Sequence, residues 1–173
     1  MMRLYKNIPP AVQRGLIFFC GMICGGGLLF LAGWFWGGGC LIREEKCPLP
    51  YEKAIQLFPE RASALGWSVR TVPCGLPVPV PGQRITVFEI CSREYASAIL
   101  TEESSRKCAG ILPCKIAIYE KGSRVWISRL NGSLTAFLLG GRYADIFIRN
   151  ILPEQDLILS DLLAAEQFPP KKK

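Results

Sequence analysis

From Gly15 to Ile42 the chain runs for twenty-eight residues without a charged side chain, between Arg14 and Arg43. Roughly twenty helical residues at ~1.5 Å each cross a hydrocarbon core of ~30 Å, so this run is long enough for a membrane span. The surplus implies tilt or a helical extension past one interface. Arg3, Lys6 and Arg14 precede the run without an acid, whereas Arg43 and Lys46 are diluted by Glu44 and Glu45. The positive-inside rule then keeps 1–14 in the cytoplasm as a basic tail and exports the downstream chain across the cytoplasmic (inner) membrane, to a periplasmic or other extracytoplasmic side. A cleavable signal peptide has a much shorter apolar core. Gly37-Gly38-Gly39-Cys40 lacks the leucine-like residue of a lipoprotein box.

Gly21, Gly25, Gly33 and Gly37 fall at four-residue spacing, interrupted at Leu29, and so share one stripe of the expected helix. Small residues let a second helix approach closely in lipid, where the hydrophobic effect gives helices no preference for one another. Trp34 and Trp36 suit a headgroup boundary. Cys20 and Cys24 read as small apolar packing residues.

The net charge of +7 is concentrated at the two ends, including Lys171, Lys172 and Lys173. A basic stripe with interleaved aromatics, as nucleic-acid binding requires, is missing. The chain has no histidine. That removes serine–histidine and cysteine–histidine nucleophile pairs, His-ligated zinc and axial-His haem. Neither a Cys-x-x-Cys motif nor a glycine-rich phosphate loop occurs, so no cofactor and no metal site is expected.

Beyond the apolar run, Cys47-Pro48-Leu49-Pro50 suggests that 43–50 is a stiff linker. Pro50 suits a helix start, and Ala54, Ile55, Phe58, Ala62 and Leu65 are spaced for a helix over 51–65, which Pro59 should kink or divide. Residues 67–72 and 85–91 read as strands, 73–81 as a rigid proline-rich loop, and 93–100 as a short helix. The runs 115–119 and 125–129 flank Glu120-Lys121-Gly122-Ser123, a hairpin signal. Helices are expected over 133–139, 142–150 and 153–166, with Gly140-Gly141 and Pro153 as punctuation. The expectation is a single transmembrane helix, 15–42, followed by an α+β domain over 51–166, a small two-layer sandwich with an antiparallel sheet, and a flexible tail over 167–173.

Ile85 to Cys91, the run Gly110-Ile111-Leu112-Pro113-Cys114-Lys115-Ile116-Ala117-Ile118-Tyr119-Glu120, and Leu138-Leu139-Gly140-Gly141 with Ala144, Pro153 and Glu154 resemble the family called domain of unknown function 302. The likeness covers roughly 51–163 and is most specific at Leu-Pro-Cys. It implies a small α+β domain comparable with the TATA-binding-protein fold, often self-associating, with no agreed activity. Cys91-Ser92-Arg93 stands where the family commonly has Cys-Asn-Pro.

Five cysteines lie outside the apolar run: Cys47, Cys74, Cys91, Cys108 and Cys114. An exported domain can hold disulfides. Cys108 and Cys114 form the pair favoured by proximity, while the family pattern implies Cys91 with Cys114. A bridge would be structural, contributing ~2–4 kcal/mol. The alternative makes Cys91 and Cys114 a thiol or ligand site, against which the lack of histidine and of two-residue cysteine spacing weighs. The carboxylates form no acid–base pair, and Asp145, Asp156 and Asp161 read as surface groups.

Two functions remain open at this level. The first is a non-catalytic accessory subunit, docked through its glycine-striped helix on other membrane-protein subunits, for instance of a respiratory or electron-transfer complex. Its exported domain would brace or cap a partner. The second is an anchored redox, metal-binding or small-ligand module built on Cys91 and Cys114. A homo-oligomer held by helix and domain is a variant of the first.

Overall fold

The computed structural model describes residues 9–73 and 82–164, and the chain divides into two units, 1–40 and 41–173. The first unit is dominated by helix α1 (Pro10–Leu41). Within it, Arg14–Leu31 has a mean hydropathy of 1.8, and that window is long and apolar enough to cross a membrane. Every side chain in that window is exposed.

The second unit begins where the linker was expected. Ile42–Cys47 is a strand, β1, and Cys47 and Leu49 are buried in the core. Ile42 thus belongs to the sheet and not to the apolar helix. The remaining elements are α2 (Tyr51–Ala64), β2 (Ser68–Val72), β3 (Ile85–Cys91), α3 (Arg93–Leu100), a 3-10 helix (Glu103–Ile111), β4 (Cys114–Lys121), β5 (Arg124–Leu130), α4 (Gly132–Leu139), α5 (Gly141–Ile146), a π-helical turn (Phe147–Ile151) and α6 (Leu152–Leu163). The sheet is antiparallel throughout, in the order β1-β5-β4-β3-β2. This is an α+β fold. Of the loop expected over 73–81, all but Pro73 lies outside the described residues, as does the tail over 167–173.

The period of two along the strands decides which face meets the helices. Phe88 and Ile90, Ile116 and Ile118, and Val125 and Ile127 are buried, and they join one core cluster with Ala54, Phe58 and Ala62 of α2 and Ile158, Leu159 and Leu162 of α6. The Phe58 and Phe88 rings meet at 5.0 Å between centroids. On the opposite face Val87, Glu89, Ala117, Tyr119, Trp126 and Ser128 remain half-buried.

Neither Pro59 nor Pro153 divides a helix. Helix α2 runs through Pro59 undivided. A proline inside a helix costs ~3 kcal/mol, and the burial of Ala54, Phe58 and Ala62 on one side of this helix offsets it. Pro153 likewise does not separate two helices, because α5 and α6 are joined through the π-helical turn. There the Leu152 N–H reaches the Phe147 carbonyl, five residues back. The widened turn falls just before the residue that lacks an N–H, which lets the helix pass the proline ring.

Candidate functional site

Cross-strand register builds a depression of about 470 Å³ on the open sheet face. Val87 faces Ala117 and Ala117 faces Ser128, so three small or β-branched residues form its floor. Ile42 pairs with Leu130 at one side, and Gly110 to Pro113, with a cis Leu112–Pro113 peptide, forms the rim. Leu112 and Pro113 come from the Leu-Pro-Cys run that carries the family resemblance.

Charges line one end. Glu89 sits opposite Lys115 and Arg70 in the sheet register; Arg70 Nε donates to its carboxylate at 3.1 Å, with Nη2 on the same oxygen, and Lys115 Nζ lies 3.8 Å away. The hydrogen bonds from Arg70 hold the Glu89 carboxyl below its ordinary range, against the opposing pull of desolvation. It is an ionised acceptor already engaged by two cations.

Beneath the depression lies Arg129, whose side chain is only 3 % exposed. Val125, Ile127 and Arg129 share the buried face of β5, so alternation carries a guanidinium to the edge of the core. Nη2 pairs with Asp156 and lies 3.5 Å from Glu45, while Nε and Nη1, and Glu45 Oε2, are enclosed without a protein hydrogen bond. A void of about 10 Å³ separates Arg129 from Cys114, Tyr143 and Gln155, about the space one water needs. Period-two counting along Val125-Trp126-Ile127-Ser128-Arg129 was the available signal for Arg129. Asp156 and Glu45, expected at the surface and in a linker, become its partners only through the fold.

The expected cysteine pairs do not form. Cys91, Cys108 and Cys114 are free thiols, and no disulfide closes among the described residues. Cys114 lies opposite Ile90 in the β3–β4 register, and Cys91 is the next residue along β3 after Ile90. Cys108 is buried in the 3-10 helix. Burial pushes the Cys114 thiol up to about 11 and raises that of Cys108. Cys114 therefore stays protonated near neutrality, and a thiol in that state is a weak nucleophile. Cys91 and Cys114 do line one small void together with Trp67 and Tyr95. At its edge Glu154 accepts from Trp67 Nε1 at 2.7 Å and from the Tyr95 hydroxyl. That hydrogen bond, with burial, lifts Tyr95 to about 12. Glu154 thus satisfies one buried and one half-buried donor as a structural acceptor.

Gly21, Gly25 and Gly33 lie in α1 with open space where a Cβ would project, and Gly37, Trp34 and Trp36 belong to the same helix. No group of three or more His, Cys, Asp or Glu side chains is arranged to hold a metal among the described residues.

Residues 79–144 match the family described as "Domain of unknown function DUF302". This stretch of the chain is similar to that family. The same fold occurs in the crystal structure of an uncharacterized conserved DUF302 protein from Bacillus stearothermophilus, with a TM-score of 0.58 at 14% identity over 70% of this chain and 98% of that one. No curated protein matches the sequence significantly. The matched residues span β3, α3, the hairpin and α4, so this stretch supplies the floor and rim of the depression. Strand β1, which adds Ile42 and Glu45, lies upstream of it.

Proposed function

We propose that this protein is a single-pass, membrane-anchored accessory subunit that binds a partner and catalyses no reaction of its own. The observation that carries this reading is α1, in which every side chain from Arg14 to Leu31 is exposed. Eighteen residues of that composition are not stable against water and call for lipid or protein around them. The positive-inside pattern supports an outer-side position for the DUF302-like domain. Its open sheet face, with a largely apolar depression and an engaged Glu89, suits docking better than chemistry. The glycines of α1 supply a second surface, for a neighbouring membrane helix.

The test is native electrophoresis of the complex extracted in mild detergent. Gly25→Leu with Gly33→Leu should release the chain from its companions, and Ala117→Arg in the depression should weaken the same association. An unchanged particle mass for both variants would overturn the reading. A thiol or ligand module on Cys91 and Cys114 is the second reading, favoured by their shared void. A thiol held at about 11 leaves a thiolate fraction of ~10⁻⁴ at pH 7, which weighs against redox exchange.

A further inference from the structure

Helix α4 follows β5 after one residue, Asn131, whose side chain caps it by accepting from the Leu134 N–H. Gly132, Thr135 and Ala136 form its buried side. The other side carries Leu134, Phe137 and Leu138 at positions i, i+3 and i+4, a single helical face. Phe137 is 83 % exposed and Leu138 63 %. No charged residue occurs from Gly132 to Gly141, so nothing polar breaks this face. An adjacent Phe and Leu this exposed, on an ordered helix, mark a contact surface.

Position in the chain says what covers it. The Asn131 N–H donates to the Leu41 carbonyl at 2.8 Å, and Leu130 pairs with Ile42. Leu41 is the last residue of α1. The helical part of the uncharged run, from Gly15 to Leu41, is about 40 Å long at 1.5 Å per residue, close to the thickness of a bilayer with its headgroups. Leu41, and Asn131 bonded to it, therefore fall at headgroup level. Phe137 lies six helical residues further, about 9 Å along α4. That is within reach of the interfacial zone, where surface helices bury their apolar side ~5–10 Å deep. Arg142, near the start of α5 and 4.0 Å from Asp145, adds a cation four residues after Leu138.

We propose that Phe137 and Leu138 insert into the headgroup region of the bilayer that α1 spans, making α4 a second, peripheral attachment of the DUF302-like domain. This rests on the reading of α1 as a membrane span. The Gly122–Ser123 turn lies at the other end of β5, about 23 Å from Leu130 along the strand, and supplies the comparison position.

The experiment places photoreactive benzoylphenylalanine singly at Phe18, Ser123 or Phe137 of the full chain. Each form is reconstituted in phosphatidylethanolamine–phosphatidylglycerol vesicles containing tritiated lipid. All three positions are exposed, so the fold is retained. Positions 18 and 137 should label lipid, with 137 exceeding 123 by roughly fivefold or more. If 18 is labelled while 137 is no better than 123, the attachment of α4 is overturned and the span stands. If 18 is not labelled, the span itself falls, and this proposal with it.

Discussion

Replacing Gly132 with alanine sets two effects of opposite sign against each other, and the structure decides between them. Glycine to alanine within a helix normally stabilises by up to ~1 kcal/mol, because alanine loses less backbone entropy on folding. At Gly132, however, a Cβ would lie 2.3 Å from Phe147 Cε1 and 3.1 Å from its Cδ1. Carbon atoms in good contact sit at ~3.5–4.0 Å, so the overlap exceeds about 1 Å. The ring has no easy retreat. Phe147 is 4 % exposed, its centroid is 5.1 Å from that of Tyr143, and Tyr143 is 2 % exposed. Overpacking of this kind costs ~1–3 kcal/mol, and an overlap this large belongs at the upper end. The net expectation is a loss of ~1–2 kcal/mol. For a unit of this size that lowers the midpoint of thermal unfolding by about 3–10 °C. The assay is near-ultraviolet circular dichroism of the full chain in detergent micelles, with Gly110→Ala as the counterpart. Gly110 has open space where its Cβ would go, so that variant should be neutral or slightly stabilising. Adding Phe147→Leu to Gly132→Ala should recover part of the loss. A Gly132→Ala protein that melts at or above the parent temperature would refute the packing argument.

Glu120 accepts from Gly82 N at 2.9 Å, Arg84 N at 3.2 Å, Arg84 Nε at 2.9 Å and Arg84 Nη2 at 2.7 Å, and the Arg84 hydrogen bonds above all hold its carboxyl at about 2. Its stabilisation is therefore fully present above the ordinary glutamate value near 4.5 and is lost as pH falls through about 2; Glu120→Gln should lower the urea midpoint at pH 7, with the difference shrinking across that window. Phe58→Ala empties a fully buried site against Phe88 and should cost ~3–5 kcal/mol in the same unfolding assay. With the thiol of Cys114 at about 11, alkylation by iodoacetamide in folded protein should be slow at pH 7 and rise toward pH 11, whereas urea-unfolded chain should react faster near neutrality; mass spectrometry of the peptide reads both.

Sequence by itself determined those parts whose hydrophobic period is complete within one element. Ile85–Cys91 is rich in β-formers, Arg93–Leu100 is a short helix, and Glu120-Lys121-Gly122-Ser123 signals a hairpin; all three elements form, with the hairpin strands running on to Lys121 and Arg124 so that the turn tightens to Gly122–Ser123. The depression was half legible for the same reason, since Val87 and Ala117 follow from strand alternation.

The tertiary structure decided what depends on a neighbour. Ile42-Arg43-Glu44-Glu45-Lys46-Cys47 has almost no apolar alternation, yet it is a strand because the edge of β5 offers it a hydrogen-bonding ladder. Arg129 tolerates burial because Glu45 and Asp156, eighty-four residues before and twenty-seven after, arrive beside it. Pro59 and Pro153 are accommodated by packing and by a π-helical turn, neither of which is written in the local residues. The cysteines show the limit most directly. Proximity in sequence pairs Cys108 with Cys114, but one thiol sits in the 3-10 helix and the other on a strand, and a bond needs positions in space rather than positions in the chain.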